Sequence, residues 1–143
     1  MIATTIEQSK HLLELGLDTS TADMYYLLGN PLALVRWIKS DVHLLAVTDI
    51  PSWSLTALLN MMPITITKDD MEYKLKIFPR GLFSTHSDTS KWTLQYCGID
   101  YSYRARDKYP ILIAVTQHDI IDAAYEMACW LLENNFIKKG GEE

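Results

Sequence analysis

The chain has 143 residues, of which 48% are hydrophobic and 22% are charged, and its net charge at pH 7 is −5. This composition excludes intrinsic disorder and argues against non-specific binding to nucleic acid or anionic membranes, which requires a basic surface. The length fits one domain spanning residues 1–143, and no apolar run approaches the roughly 18 residues of a membrane span. Because the first residues lack a basic segment followed by an apolar run, we expect no secretory signal and a cytoplasmic protein.

The start of the chain predicts a helix, a strand and a turn. Thr4 followed by Glu7 has the pattern of a capping box that opens a helix over Thr5–Leu15, and Gly16 is a typical left-handed residue at its end. Met24–Leu28 is a short aromatic and apolar run, which indicates a strand. The Gly-Asn-Pro tripeptide that follows it indicates a turn.

The next stretch contains an ambiguous segment and an amphipathic helix. Between Leu32 and Val47, short apolar runs rich in β-branched residues favour two strands, although the same residues are compatible with helix. Ser52 is a suitable N-cap for a helix over Trp53–Met62, because apolar residues recur there at the spacing of one helical face. Pro63 ends this helix, since the residue before a proline avoids helical backbone angles.

From Tyr73 onward the apolar residues alternate with a period of two, which is the pattern of a strand with one buried face. Three alternating segments follow one another, and the denser apolar run after them indicates a fourth, more buried strand. These four segments are Tyr73–Ile77, Trp92–Tyr96, Tyr101–Arg106 and Ile111–Val115.

A last helix is predicted over Asp119–Asn134, with apolar residues on one side and carboxylates on the other. Thr116 followed by Asp119 resembles its capping box, and the Asn134-Asn135 pair supplies a left-handed stop. The apolar sides of this helix and of the Trp53–Met62 helix can cover the aromatic face of the sheet. We therefore predict an α+β fold, an antiparallel three- to four-stranded meander with helices packed on one face in two layers.

The sequence contains none of the short motifs that carry catalysis or metal binding. There is no H-E-x-x-H, C-x-x-C, G-x-S-x-G or glycine-rich phosphate loop. Ser84, His86 and Asp88 share one polar loop, but a catalytic triad needs rigid support and an oxyanion hole, so we interpret them as loop residues. Cys97 and Cys129 are expected to be buried thiols. We expect no enzyme activity, no cofactor and no metal.

The outward face of the predicted sheet is polar and basic. Lys74, Lys76, Arg104 and Arg106 all fall on this side of the alternating strands, so they form a candidate binding face. The order of strands and helices also resembles double-stranded-RNA-binding domains and antitoxins of the HicB type. A nucleic-acid-binding or antitoxin-like regulatory protein that uses this face is therefore the alternative hypothesis, and a solvated sheet face is the simpler interpretation.

Two segments carry a family resemblance. They have the patterns P-x-W-S-L-x-A-L-L at Pro51–Leu59 and E-M-x-C-W-L-L-E-N at Glu126–Asn134, and residues 5–10 and 15–24 extend them. They resemble a family of small uncharacterised proteins encoded in gut-bacterial genomes, often within prophage-like or other mobile elements. The resemblance implies a mobile-element accessory protein and carries over no catalytic residue.

These observations predict a non-enzymatic accessory domain that binds another macromolecule. A protein partner is favoured, because the chain holds four Trp and eight Tyr residues and aromatic side chains are enriched at binding surfaces. Nucleic acid is disfavoured by the net charge, no membrane is expected, and neither the partner nor the oligomeric state follows from the sequence. An enzyme whose site assembles from distant residues is the third hypothesis.

Overall fold

The structure, a computed structural model, describes residues 2–36, 48–79, 91–98 and 110–140. Within these residues it shows an α+β fold in which three α-helices accompany two antiparallel sheets. The elements are α1 (Ile6–Glu14), β1 (Met24–Tyr26), β2 (Leu34–Arg36), β3 (Ile50–Ser52), α2 (Leu55–Met61), β4 (Thr65–Lys68), β5 (Met71–Pro79), β6 (Trp92–Gly98), β7 (Ile111–Gln117) and α3 (Ile120–Glu133).

The chain divides into two compact units. The first comprises Met1–Met62 together with Ala128–Glu143, and the second is the continuous stretch Pro63–Met127. The boundary therefore falls within α3. The single domain over residues 1–143 stays a prediction.

The N-terminus of α1 lies one residue further along the chain than the sequence predicts. The hydroxyl of Thr5 accepts the Gln8 N–H at 3.1 Å, and the Gln8 side chain accepts the Thr5 N–H at 3.0 Å. The capping box is real, but its assignment to Thr4 and Glu7 was wrong. Thr4 cannot cap the helix because its hydroxyl is buried in the core.

The end of α1 follows the prediction. Gly16 has a left-handed φ of 96°, and the Leu17 N–H donates to the Leu12 carbonyl at 3.0 Å, which is the bond pattern of a Schellman motif. Leu12 and Leu17 are both buried. The Gly16 carbonyl also accepts the Gly140 N–H at 2.8 Å, so the C-terminal segment is hydrogen-bonded to the end of the first helix.

A cluster of buried hydroxyls joins the segment before α1 to β3. The Thr4 hydroxyl lies 2.8 Å from that of Ser9 and 3.1 Å from that of Ser52, and it accepts the Trp53 N–H at 3.1 Å. The Thr4 carbonyl accepts hydrogen bonds from the Tyr26 and Ser52 hydroxyls at 2.7 and 2.9 Å. Polar groups are tolerated here because each has a partner.

The three-stranded sheet of the first unit has the order β2-β1-β3. Tyr25 is aligned with Val35 on one side and with Pro51 on the other, so these three side chains share one face. Tyr26 and Ser52, which point to the opposite face, are buried. The strand predicted over Met24–Leu28 exists but ends at Tyr26.

The strand interpretation of Leu32–Val47 is confirmed where it can be compared. β2 occupies Leu34–Arg36 and pairs with β1. Residues 37–47 lie outside the described residues.

The start predicted for α2 was also wrong. Its N-cap is Ser54, whose hydroxyl accepts the Ala57 N–H at 3.2 Å, whereas Ser52 is a buried residue of β3. The Asp23 carboxylate holds Ser54 in place by accepting its N–H at 2.9 Å and its hydroxyl. Trp53 precedes the helix and is fully buried. The helix therefore begins two residues later than predicted, at Leu55.

The four-stranded sheet of the second unit is an antiparallel meander in the order β4-β5-β6-β7. A two-residue turn, Asp69-Asp70, joins β4 to β5, and both of its residues have positive φ. One sheet face places Ile66, Tyr96 and Val115 in the core. β6 is one of the two inner strands and is buried along most of its length.

Three of the four strands predicted from alternation are present, as β5, β6 and β7. The segment Tyr101–Arg106 lies outside the described residues. The sequence analysis missed β4 (Thr65–Lys68), because Ile66 is its only buried residue and a single apolar position shows no period.

α3 confirms the last predicted helix, with a different cap. Asp119 accepts the Ile121 N–H through its side chain at 2.9 Å, while Thr116 lies in β7, its hydroxyl 2.9 Å from that of Thr93. Asn135 has a φ of 61°, as expected of a left-handed stop. The predicted apolar stripe is buried at Ile121, Ala124, Met127, Ala128, Leu131 and Leu132.

Candidate functional site

The basic face predicted from the sequence is present in part. Lys74 and Lys76 are exposed and lie on the same face of β5, about 6.6 Å apart along the strand. Gln95 is the cross-strand neighbour of Lys76 and shares this face. Arg104 and Arg106 lie outside the described residues. Two of the four predicted cations are thus brought together.

Next to these lysines, β5 extends beyond the residues that pair with β4. The last hydrogen bond from β5 to the β4 side runs from the Leu75 N–H to the Ile64 carbonyl at 2.9 Å. A cavity of about 470 Å³ lies over β5 and β6, and its lining residues are Lys76, Ile77, Phe78 and Gln95. We call these four residues the β5–β6 site.

A second surface lies on the hairpin that joins β1 to β2. Eight large apolar side chains are exposed in the described part of the chain, and four of them fall within this hairpin. Single exposed apolar residues are normal, whereas clusters mark interaction surfaces. We call this cluster the hairpin patch, and its members are Leu27, Leu28, Leu32 and Val35.

The backbone of the hairpin patch is strained at Leu28. Its φ of 52° and ψ of 27° lie in the left-handed region, which costs an L-residue roughly 1–2 kcal/mol. The Asp49 carboxylate accepts the Leu28 N–H at 2.7 Å and stabilises this conformation. The side chain is nevertheless 67% exposed, and that of Leu32, near the tip, is 93% exposed. The strained backbone conformation therefore does not bury the Leu28 side chain within the chain.

The buried hydroxyl cluster is not an activated nucleophile. Thr4, Ser9 and Ser52 are completely inaccessible to solvent, and their described hydrogen-bond partners are hydroxyls and backbone groups. Burial raises the pKa of Tyr26, against a smaller lowering by Ser52, so the phenol is not a base at neutral pH. A nucleophilic hydroxyl needs a base within hydrogen-bond reach, and none is seen among these partners.

A groove of about 420 Å³ runs beside α2. Its one carboxylate, Asp23, is committed to the N-H and the hydroxyl of Ser54. Thr21 accepts the Trp53 indole N–H at 2.9 Å. The remaining lining residues are neutral: Ser20, Ala22, Thr56, Ala57, Asn60 and Met61. The groove offers hydrogen bonds but no acid–base pair.

Other candidate groups do not assemble into a site within the described residues. No cluster of three His, Cys, Asp or Glu side chains there could hold a metal ion, and no helix there is both long and apolar enough to cross a membrane. Cys97 and Cys129 are buried thiols that form no disulfide with each other, as predicted. Ser84, His86 and Asp88 lie outside the described residues.

No protein-family model, curated protein or solved structure matches this chain. The resemblance to small proteins of mobile elements therefore stays a prediction.

The hairpin patch was missed in the sequence, although a signal exists there. Leu27, Leu28 and Leu32 flank the Gly-Asn-Pro turn, where polar residues are usual. Three leucines around a turn indicate apolar side chains that the short strands on either side cannot bury.

Proposed function

We propose that this chain is a cytoplasmic, non-enzymatic accessory domain that binds another protein through the hairpin patch. The observation that carries the proposal is the exposed, left-handed Leu28 beside the exposed Leu32. Backbone strain of this kind concentrates at functional sites. A role in a mobile element rests on the sequence resemblance alone.

The energetics support a binding role for these side chains. Complete burial of a leucine side chain is worth roughly 1.5–3 kcal/mol, and both Leu28 and Leu32 retain most of their surface in solvent. A partner that covers both would recover several kcal/mol, which can offset the ordering costs of association. Within the hairpin patch no titratable side chain is present, so apolar recognition is the chemistry it offers.

Leu28→Asn tests the proposal, because it separates binding from folding. Asparagine tolerates the left-handed conformation better than leucine, so the variant should be at least as stable as the wild type in urea. It should also lose the partner, since the apolar side chain is gone. The assay is affinity capture from a lysate of the source organism with immobilised wild type and variant, read by quantitative mass spectrometry and repeated with the purified partner in calorimetry.

Ile111→Asn is the matched control. Ile111 is an apolar residue that is 55% exposed and lies on β7, in the other unit. The proposal predicts a protein that the wild type and Ile111→Asn retain and Leu28→Asn loses. Equal retention by all three chains would refute a binding role for the hairpin patch.

A further inference from the structure

The groove beside α2 presents two rows of side chains on its helical wall. Residues that are four apart on a helix lie one above the other on the same face. Ala57 and Met61 form the inner row, which is buried or half-buried, while Thr56 and Asn60 form the outer row and are exposed. We call this cavity of about 420 Å³ the α2 groove. Its helical wall thus combines an apolar floor with two exposed side chains that can form hydrogen bonds.

Hydrogen bonds hold the opposite wall of the α2 groove in place. This wall includes part of the short 3-10 turn Thr19–Thr21. The Thr21 hydroxyl donates to the Asp18 carbonyl at 2.6 Å and accepts the indole N–H of the fully buried Trp53 at 2.9 Å. The Asp18 carboxylate accepts the Ser20 N–H at 2.9 Å. The wall is therefore fixed before a ligand arrives, which lowers the ordering cost of binding.

The charges around the α2 groove favour an uncharged ligand. Among the described lining residues Asp23 is the one charged side chain, and its two carboxylate oxygens accept the N–H and the hydroxyl of Ser54. A phosphate or a carboxylate would meet no cation among these residues, and Asp23 would repel it. A ligand ammonium group would compete with the two Ser54 donors for the same carboxylate. Burial of an ion without a partner is costly, so the part of the ligand inside the groove should be neutral.

The two exposed side chains of α2 have the spacing of an extended main chain. Thr56 and Asn60 are four residues apart, which is about 6 Å along the helix axis at 1.5 Å per residue. In an extended peptide every second residue directs its N–H and C=O to the same side, and such residues are about 6.6 Å apart. A side-chain amide both donates and accepts hydrogen bonds. Asn60 can thus bind the N–H and C=O of one peptide residue, while the Thr56 hydroxyl binds the residue two positions away.

We propose that the α2 groove binds a short, uncharged, extended segment of another protein through its main chain. Thr56 and Asn60 pair with alternate residues of the segment, and the residue between these two packs a small apolar side chain on Ala57 and Met61. Methionine suits this role because its flexible thioether adapts to different side chains. The volume of the groove lies within the range of small-ligand pockets, roughly 300–1,000 Å³. The groove therefore accepts a few residues and not a folded surface.

The test is a nuclear magnetic resonance titration with an acetylated and amidated peptide of the sequence Ser-Ala-Val-Ala-Ser. The Trp53 indole N–H is the reporter, because it donates to Thr21 in the wall of the groove. Its signal should shift in a saturable way at millimolar peptide. Asn60→Ala should weaken binding about fivefold or more, since two hydrogen bonds are lost. Alanine has the highest helix propensity, so this weakening would not reflect a loss of α2.

Thr56→Ala and Thr19→Ala form a matched pair. Both threonines are exposed, and Thr19 lies in the 3-10 turn beside the groove but is not among the described lining residues. Thr56→Ala should weaken peptide binding about three- to tenfold, because it removes one hydrogen bond. Thr19→Ala should change the affinity less than about twofold.

Three further measurements make the outcome decisive. N-methylation of both peptide alanines should weaken binding about fivefold or more, because it removes main-chain donors. The methylamide of N-acetyl-lysine, an ammonium probe, should bind more weakly than the peptide. Leu28→Asn should bind the peptide like the wild type, so failure of the hairpin proposal and failure of this one are distinguishable.

Four results would each overturn the inference. The first is the absence of a saturable shift of the Trp53 indole signal at millimolar peptide. The second is an equal loss of affinity in Thr19→Ala and Thr56→Ala. The third is indifference to both Asn60→Ala and N-methylation, and the fourth is tighter binding of the lysine probe than of the peptide.

Discussion

Thr4 and Thr5 are adjacent residues of one type with opposite roles, and substitution by valine separates them. Valine keeps the shape of threonine but removes the hydroxyl. At Thr4 the change leaves the Trp53 N–H without its acceptor and removes a partner from the hydroxyls of Ser9 and Ser52. At Thr5 it removes only the cap of α1.

The expected losses follow from the number of groups left unpaired. An unsatisfied buried donor costs about 1–3 kcal/mol, and Ser52 keeps its bond to the Thr4 carbonyl, so mainly the Trp53 N–H and the Ser9 hydroxyl are affected. We expect Thr4→Val to lower the free energy of unfolding by about 2–3 kcal/mol. Thr5→Val should cost about 1 kcal/mol, the usual value of an N-cap.

Urea denaturation followed by both far-UV circular dichroism and tryptophan fluorescence measures the two losses. Coincident transitions would justify a two-state free energy. A loss at Thr5 that equals or exceeds the loss at Thr4 would refute the role of the buried hydroxyl cluster. A loss near zero at Thr5 would refute its assignment as the cap, because a capping box at Thr4 and Glu7 would leave the Thr5 hydroxyl without a capping bond.

Two further predictions concern the second unit. Replacing Asp69-Asp70 by Asn-Gly should stabilise the protein by about 1 kcal/mol, since both positions have positive φ and a two-residue hairpin turn of this kind favours Asn-Gly; an unchanged urea midpoint would contradict the turn geometry. Burial raises the pKa of Tyr96, so the unfolded state loses this proton first, and the contribution of Tyr96 to stability should be constant below about pH 10 and fall above it. Tyr96→Phe should remove part of that fall, which urea titrations at pH 9 and pH 11 would show.

Periodic patterns in the sequence predicted the helices and most strands, but not the exact caps. Thr4 and Thr5 both precede a residue suited to close a capping box, Glu7 and Gln8 respectively. The choice between them depends on Ser52 and Trp53, roughly fifty residues away, which bind the Thr4 hydroxyl. Local spacing carries no information about such a distant contact.

The candidate surfaces were predictable only in part. Alternation along β5 correctly placed Lys74 and Lys76 together, because side chains of a strand repeat every two residues. The start of β4 at Thr65 was not predictable, since it depends on the distant bond between the Pro63 carbonyl and the Tyr96 hydroxyl. The exposure of Leu28 depends on a left-handed backbone that leucine does not favour.

The first unit is assembled from two separate stretches of chain, and this has a consequence for the order of folding during synthesis. Pro63–Met127 is contiguous, so all of its residues leave the ribosome before Ala128–Glu143 does. The first unit must wait for Ala128–Glu143, which includes the buried Leu131 and Leu132 and the Gly140 N–H that binds Gly16. Until then, α1 and the hydroxyl cluster lack part of their surroundings. During translation the N-terminal residues are thus synthesised first, but the unit to which they belong is completed last.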